Sequence, residues 1–309
     1  MNGRDGRPLR LGTRRSALAR VQAEMVAARL PGPVTIVPIA VGADADRRPL
    51  AALAGTRVFT GAIERSLLAG DVDLAVHALK DLPVTPVPGL RVAAFLRRGP
   101  VGDLLLRRAA DAGAPLGLAS GARVGTGSPR RAALLGRHAP QARAEPLRGN
   151  VPTRIERCVD GSVDAVVLAR AGVERLGDAI GAMLEELSSV PLDPPDWLPA
   201  PGQAAIAAQA REGDEDLLAA LAGIDDAETG TAVGLERALL QASGGGCRAS
   251  LGAWARPVAA GGWRADVGLQ DGSGRWRVRH ATGDPESIRH ELADWIGRTS
   301  GESPPEGDA

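Results

Sequence analysis

Asp73-Leu-Ala-Val-His-Ala-Leu-Lys-Asp-Leu-Pro83 is the stretch from which the fold of this chain is read. Leu74 to Leu79 form an apolar run bounded by Asp73 and Pro83, the pattern of a strand buried in a parallel sheet. The run ends in Lys80-Asp81, and open α/β sheets bind ligands just beyond the carboxyl ends of their strands. Of the 37 basic residues, 36 are arginine and one, Lys80, is lysine. A compact ammonium differs from a planar guanidinium in shape and hydration, so the position that keeps lysine is the first candidate for chemistry. The plainer alternative is a strand-end ion pair that caps the sheet.

On either side of this stretch, strand-like runs alternate with helical patterns from Leu9 to about Leu176, which predicts α/β architecture with largely parallel sheets. Strands are expected at Val34 to Val41, Leu74 to Leu79, Leu90 to Phe95, Asp103 to Leu106, Arg123 to Gly125, Ala142 to Pro146 and Asp164 to Leu168. Ser16 is a candidate N-cap, with Leu18, Val21, Met25 and Ala28 at helical spacing behind it. Pro191 to Pro201 carries prolines at 191, 194, 195, 199 and 201 and is predicted to be an irregular crossing between domains. A short apolar run at Ala204 to Ala208 follows it, then helices at about Asp214 to Ala222 and Glu228 to Ala242. Trp254, Trp263, Trp276 and Trp295 mark a last section of alternating strands and a final helix near Ser287 to Ile296, a separate small α/β domain.

At 309 residues the chain is long for one core, so two or three domains are expected. The formal net charge is zero, which disfavours a nucleic-acid partner because gripping a phosphate backbone calls for a basic excess. No apolar run approaches membrane-spanning length, and Met1 to Arg10 lacks the apolar centre of a signal peptide, so no membrane partner and a cytoplasmic location are expected. Cys158 and Cys247 are too few for a disulfide framework and lack zinc spacing. His138, His280 and His290 show no ligand spacing either, and no metal is expected. His77, inside the buried strand, is read as a core residue.

Three strand-to-helix turns carry hydroxyls and arginines. Val124-Gly-Thr-Gly-Ser-Pro-Arg-Arg131 has Ser128 as N-cap and Pro129 at the first helical position. Free backbone N–H groups there, with Thr126, Ser128, Arg130 and Arg131, make an anion site. Leu147-Arg-Gly-Asn-Val-Pro-Thr-Arg154 repeats the arrangement with Asn150 as N-cap and Arg148 and Arg154 beside it. Leu11-Gly-Thr-Arg-Arg-Ser16 is the third. Facing one cleft, they suit a ligand with several carboxylates or phosphates; taken singly, each reads as solvated surface. Ser243-Gly-Gly-Gly-Cys-Arg248 sets Cys247 in a run of glycines where its sulfur can approach another domain, with Arg248 favouring the thiolate. A small apolar loop filler is the equal alternative. Cys158, in a helical pattern, reads as core.

In order along the chain, Leu11 to Ala19, Asp73 to Pro83, Val124 to Arg131, Leu147 to Arg154, Asp164 to Gly177, Leu198 to Gln203 and Glu236 to Cys247 together resemble the porphobilinogen deaminase (hydroxymethylbilane synthase) family. The resemblance implies two lobes like those of periplasmic binding proteins, with mixed, mainly parallel sheets, plus a small α/β C-terminal domain. Domain one is expected at 1–98, completed by 201–222, domain two at 99–200, domain three at 223–298 with the cofactor cysteine, and a disordered tail at 299–309. It implies a monomer that joins four porphobilinogen molecules head to tail, with loss of ammonia, and a dipyrromethane cofactor held by a thioether at Cys247. Asp81 is then the carboxylate that stabilises the azafulvene cation and handles pyrrole protons, with Lys80 beside it. Lys80, Thr126, Ser128, Arg130, Arg131 and Arg154 are implied to bind the cofactor; Arg14, Ser16, Gln22, Phe59, Arg148 and Arg175 to bind substrate. Guanidinium forks match the many carboxylates of a pyrrole chain.

The chain departs from the family pattern at Gly42-Ala43, at Leu53 to Arg57, where Arg57 fills a position usually glycine, at Arg98 to Asp103, and at Gly202-Gln203-Ala204, where the family has Gly-Gln-Gly. The competing expectation is a catalytically impaired paralogue that binds acidic pyrroles or other polycarboxylates. A two-lobed solute-binding protein is a third reading, with a C-terminal domain that would then be idle.

Overall fold

The computed structural model describes residues 7–42, 59–244 and 250–300. Cys247 and Arg248, the departures at Ala43 and at Leu53 to Arg57, and the tail from residue 301 lie outside the described residues. The architecture is α/β: two five-stranded sheets flanked by helices, and a separate three-stranded sheet.

The first lobe takes β1 (Leu9–Arg14), β2 (Val34–Ile39), β3 (Leu74–Ala78) and β4 (Leu90–Phe95). The chain then crosses to the second lobe for β5 (Asp103–Arg107), β6 (Arg123–Gly125), β7 (Arg143–Glu145), β8 (Ala165–Ala169) and β9 (Ser188–Leu192). It returns to the first lobe as β10 (Ile206–Arg211), so that sheet reads β2-β1-β3-β10-β4 and the other β7-β6-β8-β5-β9. In each sheet the strand that enters directly from a crossing, β10 or β5, runs antiparallel to both neighbours, and the other pairings are parallel. The buried strand β3 is therefore not in an all-parallel setting: β1 flanks it in parallel and β10 antiparallel.

Both faces of β3 are covered, which is why its sequence is apolar without alternation. Leu74 and Val76 pack with helix Ala17–Ala27 and helix Glu215–Ala222, while Ala75 packs with Ile63 and Leu67 of helix Gly61–Leu68. In the second lobe, helix Pro129–His138 covers one face and helices Val151–Val159 and Arg170–Leu176 the other. Cys158 is part of that second core, and burial pushes its thiol up to about 11.

Pro191, expected in an irregular segment, belongs to β9 and pairs opposite Leu104. The ring is tolerated because β9 is the sheet edge, where a missing N–H faces outward. Thr299 and Ser300, expected in the tail, end helix Pro285–Ser300.

The third sheet is an antiparallel meander of β11 (Leu251–Pro257), β12 (Trp263–Gln270) and β13 (Trp276–Gly283). Leu251, Ala253 and Ala255 pair with Leu269, Val267 and Ala265 and together face helix Ala227–Ala242 and helix Pro285–Ser300. Gly252 meets the second crossing, where a Cβ would lie 2.8 Å from Leu198 Cβ, so only glycine permits that approach.

Candidate active site

The strand ends determine which side chains meet. Arg14 closes β1, and Ser16 caps the following helix, its Oγ accepting from Ala19 N at 3.3 Å. After β3 the chain tightens into a 3-10 turn over Leu79–Asp81. Arg14 Nη1 lies 3.7 Å from Asp81 Oδ2, and its guanidinium stands 4.9 Å over the Phe59 ring, within cation–π range. Arg14, Ser16, Gln22, Phe59, Thr60, His77 and Asp81 line one concavity of the first lobe. His77 is buried as expected, with Nε2 3.1 Å from Gln209 Oε1; burial lowers its pKa against the opposing pull of Glu64 and Asp81.

The second lobe contributes two capped helix starts. Ser128 Oγ accepts from Arg131 N, and Thr126 Oγ1 accepts from Ser128 N at 3.2 Å. Asn150 Oδ1 accepts from Thr153 N at 3.0 Å, and Arg154 Nε donates to Gly149 O at 2.8 Å. Burial, then the positive charges of Arg131 and Arg148, push Arg154 down to about 10, with Asp81 opposing. Arg131, Arg148 and Arg154 thus gather like charge on this side of the second lobe.

Arg130 and Arg131 are more deeply placed than the sequence suggests. Asp103, 0 % exposed, accepts from Arg130 Nη2 at 2.9 Å, from Arg131 Nε at 3.0 Å and Nη2 at 2.8 Å, from Trp197 Nε1 at 2.9 Å and from Gln203 Nε2 at 2.8 Å. Burial alone would raise this carboxyl, but Arg131, Arg130 and Lys80 outweigh it and hold it well below the usual carboxylate range. Two arginines on one aspartate leave a local positive excess. The Nε–H of Arg130 is buried and meets no acceptor among the described residues. Arg175, on helix Arg170–Leu176, reaches the end of the second crossing, its Nη2 2.5 Å from Ala204 O, and burial lowers its pKa.

Lys80 joins the two halves. Its Nζ donates to Gln203 Oε1 at 3.3 Å, and burial followed by the charge of Arg131 pushes its ammonium down to about 8, with Asp81 and Asp103 opposing. Asp103, Gln203 and Trp197 form the part of the site that motif reading did not single out. Their signal is three-dimensional, since Gln203 and Asp103 are 100 residues apart in sequence.

No cluster of three or more His, Cys, Asp or Glu suited to a metal ion occurs among the described residues. Among them, no helix is long and apolar enough to cross a membrane.

Two α/β lobes joined by two crossings, with arginines gathered at the capped helix starts of the second lobe and a small third domain, define the class of protein. A sequence profile described as porphobilinogen deaminase, dipyromethane cofactor binding domain, matches residues 9–219. Porphobilinogen deaminase 1 of Streptomyces coelicolor is 43% identical over 303 residues, covering 94% of this chain and 92% of the relative. Porphobilinogen deaminase of Thermobifida fusca is 43% identical over 257 residues, covering 82% of this chain and 78% of the relative. The chain belongs to the porphobilinogen deaminase family. The solved periplasmic VFT2 domain of Bordetella pertussis BvgS is also similar, at 17% identity and a TM-score of 0.42, covering 70% of this chain and 86% of that one.

Proposed function

We propose that this chain is a hydroxymethylbilane synthase, a transferase that joins four porphobilinogen molecules head to tail and releases ammonia at each addition, giving the linear tetrapyrrole hydroxymethylbilane. The observation that carries the reading is the Lys80-Asp81 pair at the end of β3, set against the guanidinium cluster at the helix starts of the second lobe. A dipyrromethane joined by a thioether to Cys247 supplies, when bound, the pyrrole carbon to which the first substrate is added. The donor set suits its acetates and propionates: Arg154 lies among like charges, and Arg130 holds a buried donor that meets no acceptor among the described residues.

Asp81 stabilises the cation left when ammonia departs from porphobilinogen and accepts the pyrrole proton released after carbon–carbon bond formation. Lys80, Arg131 and Arg154, with the Thr126 and Ser128 hydroxyls, hold the carboxylates of the cofactor. Arg14, Ser16, Gln22 and Arg148 orient those of the incoming substrate, and the Phe59 face packs on its ring. Partly buried charge-assisted bonds of this kind contribute roughly 1.5–3 kcal/mol each, enough to fix a small acidic pyrrole.

Intact mass of the purified protein, supplied with porphobilinogen, tests the proposal. The wild type and Cys158→Ala should weigh more than their sequences by two pyrrole units and form hydroxymethylbilane. Cys247→Ala should do neither. An unmodified, inactive wild type overturns the reading.

A further inference from the structure

We propose that Gln203 is a positioning residue: its single carboxamide sets the Lys80 ammonium against the Asp103 hub and so couples the first-lobe side of the site to the second-lobe arginines. Gln203 lies on the second crossing and is fully buried. Its Oε1 accepts from Lys80 Nζ at 3.3 Å. Its Nε2 donates to Val101 O at 2.7 Å and to Asp103 Oδ1 at 2.8 Å, both at the end of the first crossing. Its backbone O accepts from Arg98 Nε at 2.9 Å. One side chain thus touches both crossings and both lobes.

The chemistry of the position selects an amide. An acceptor is needed toward the ammonium, and a donor toward a carboxylate and a carbonyl; neither a carboxylate nor an apolar side chain offers both. Turning the amide over would set NH2 against NH3+ and oxygen against Val101 O and Asp103, so the surroundings fix its orientation. Charged groups facing Lys80 include Asp81 on its own turn, Asp103 at the start of β5, and Arg130 and Arg131 on helix Pro129–His138. In that balance of charges the Gln203 dipole holds the proton on Lys80 and aims it.

Because Lys80 is the sole lysine, protein labelled with 13C at lysine Cε gives one side-chain signal whose titration reports it directly. The wild-type midpoint is expected near 8. Gln203→Glu places a negative charge at the ammonium and should move the midpoint up by about one unit, while Gln203→Met removes the acceptor and should move it down. Porphobilinogen turnover by Gln203→Met should fall about tenfold or more, with the pyrrole mass increment retained. This second readout rests on the proposed function; the titration does not. A midpoint unchanged in both variants overturns the inference, and so does failure of both to fold cooperatively, which would assign Gln203 to stability alone. Shifted midpoints in a protein whose wild type has no turnover would leave the positioning role standing and remove the proposed function instead.

Discussion

Asp81 follows the end of β3 and lines the first-lobe concavity, whereas Asp103 begins β5 and is fully buried, so their surroundings differ. Asp103 accepts five hydrogen bonds and is held ionised, so it can neither take a proton nor move toward a ligand. Asp81 keeps about a third of its side-chain surface, 31%, with Arg14 at 3.7 Å. Under the proposed function the accessible carboxylate, Asp81, is the one that acts on the substrate, while the buried one holds its neighbours in place. Asp81→Asn should therefore lower turnover by about 10²–10³-fold, the effect of removing one preorganised charge-stabilising group, roughly 2.7–4 kcal/mol. Its urea midpoint should barely move, since a partly exposed pair at that distance contributes about 0–1 kcal/mol to folding. Turnover within a factor of two of wild type, about 0.4 kcal/mol, would remove Asp81 from the mechanism.

At the scale of elements, the start of β5, helix Pro129–His138 and the second crossing are held together through Asp103. Removing its charge leaves two buried guanidinium groups facing each other. Asp103→Asn should therefore destabilise the fold by roughly 3–5 kcal/mol in urea unfolding at neutral pH. The sign of the pH dependence follows from the direction of the shift. A carboxyl lowered by folding contributes stability above its unfolded value of 3.8, and that contribution is lost as pH falls toward the folded value. The gap between wild type and variant should narrow below about pH 4; a gap constant with pH would mean that the charge of Asp103 is not what stabilises. Local elements are legible in the sequence because their causes are local. Ser16, Ser128 and Asn150 are readable as caps since each satisfies an N–H three residues on. Asp81 and Lys80 are readable because a strand end and a proline punctuate them. The reversed strand in each sheet and the strand containing Pro191 are not readable, since both depend on which strand lies alongside, a matter of topology. Asp103 and Gln203 stand in quoted motifs, but their partners arrive from distant segments, and no spacing rule connects them.

At the scale of the whole molecule, the third domain attaches to both crossings and to the bodies of both lobes, Arg237 donating to Leu82 O and Pro83 O of the first. Glu236, 0 % exposed on helix Ala227–Ala242, accepts from Arg98 Nη1 at 2.7 Å and Nη2 at 2.8 Å on the first crossing. It also accepts from Gly202 N at 2.8 Å on the second crossing and from Ala255 N at 2.9 Å in its own sheet. Gly252 lies against Leu198, and Trp276 enters the second-lobe core beside Trp197. A carboxylate shared by both crossings and the third domain ties the three parts together. Glu236→Ala leaves Arg98 without its buried counter-charge and should lower stability by roughly 3–5 kcal/mol. The loss should also separate the domains in unfolding, and the chain carries its own reporter: four of its five tryptophans, Trp254, Trp263, Trp276 and Trp295, lie in the third domain. In the wild type, tryptophan fluorescence and far-ultraviolet circular dichroism should report one coincident urea transition. In Glu236→Ala the fluorescence transition should move to lower urea and part from the dichroism curve. Coincident transitions at the wild-type midpoint would show that packing through Gly252 and Trp276 holds the third domain without Glu236.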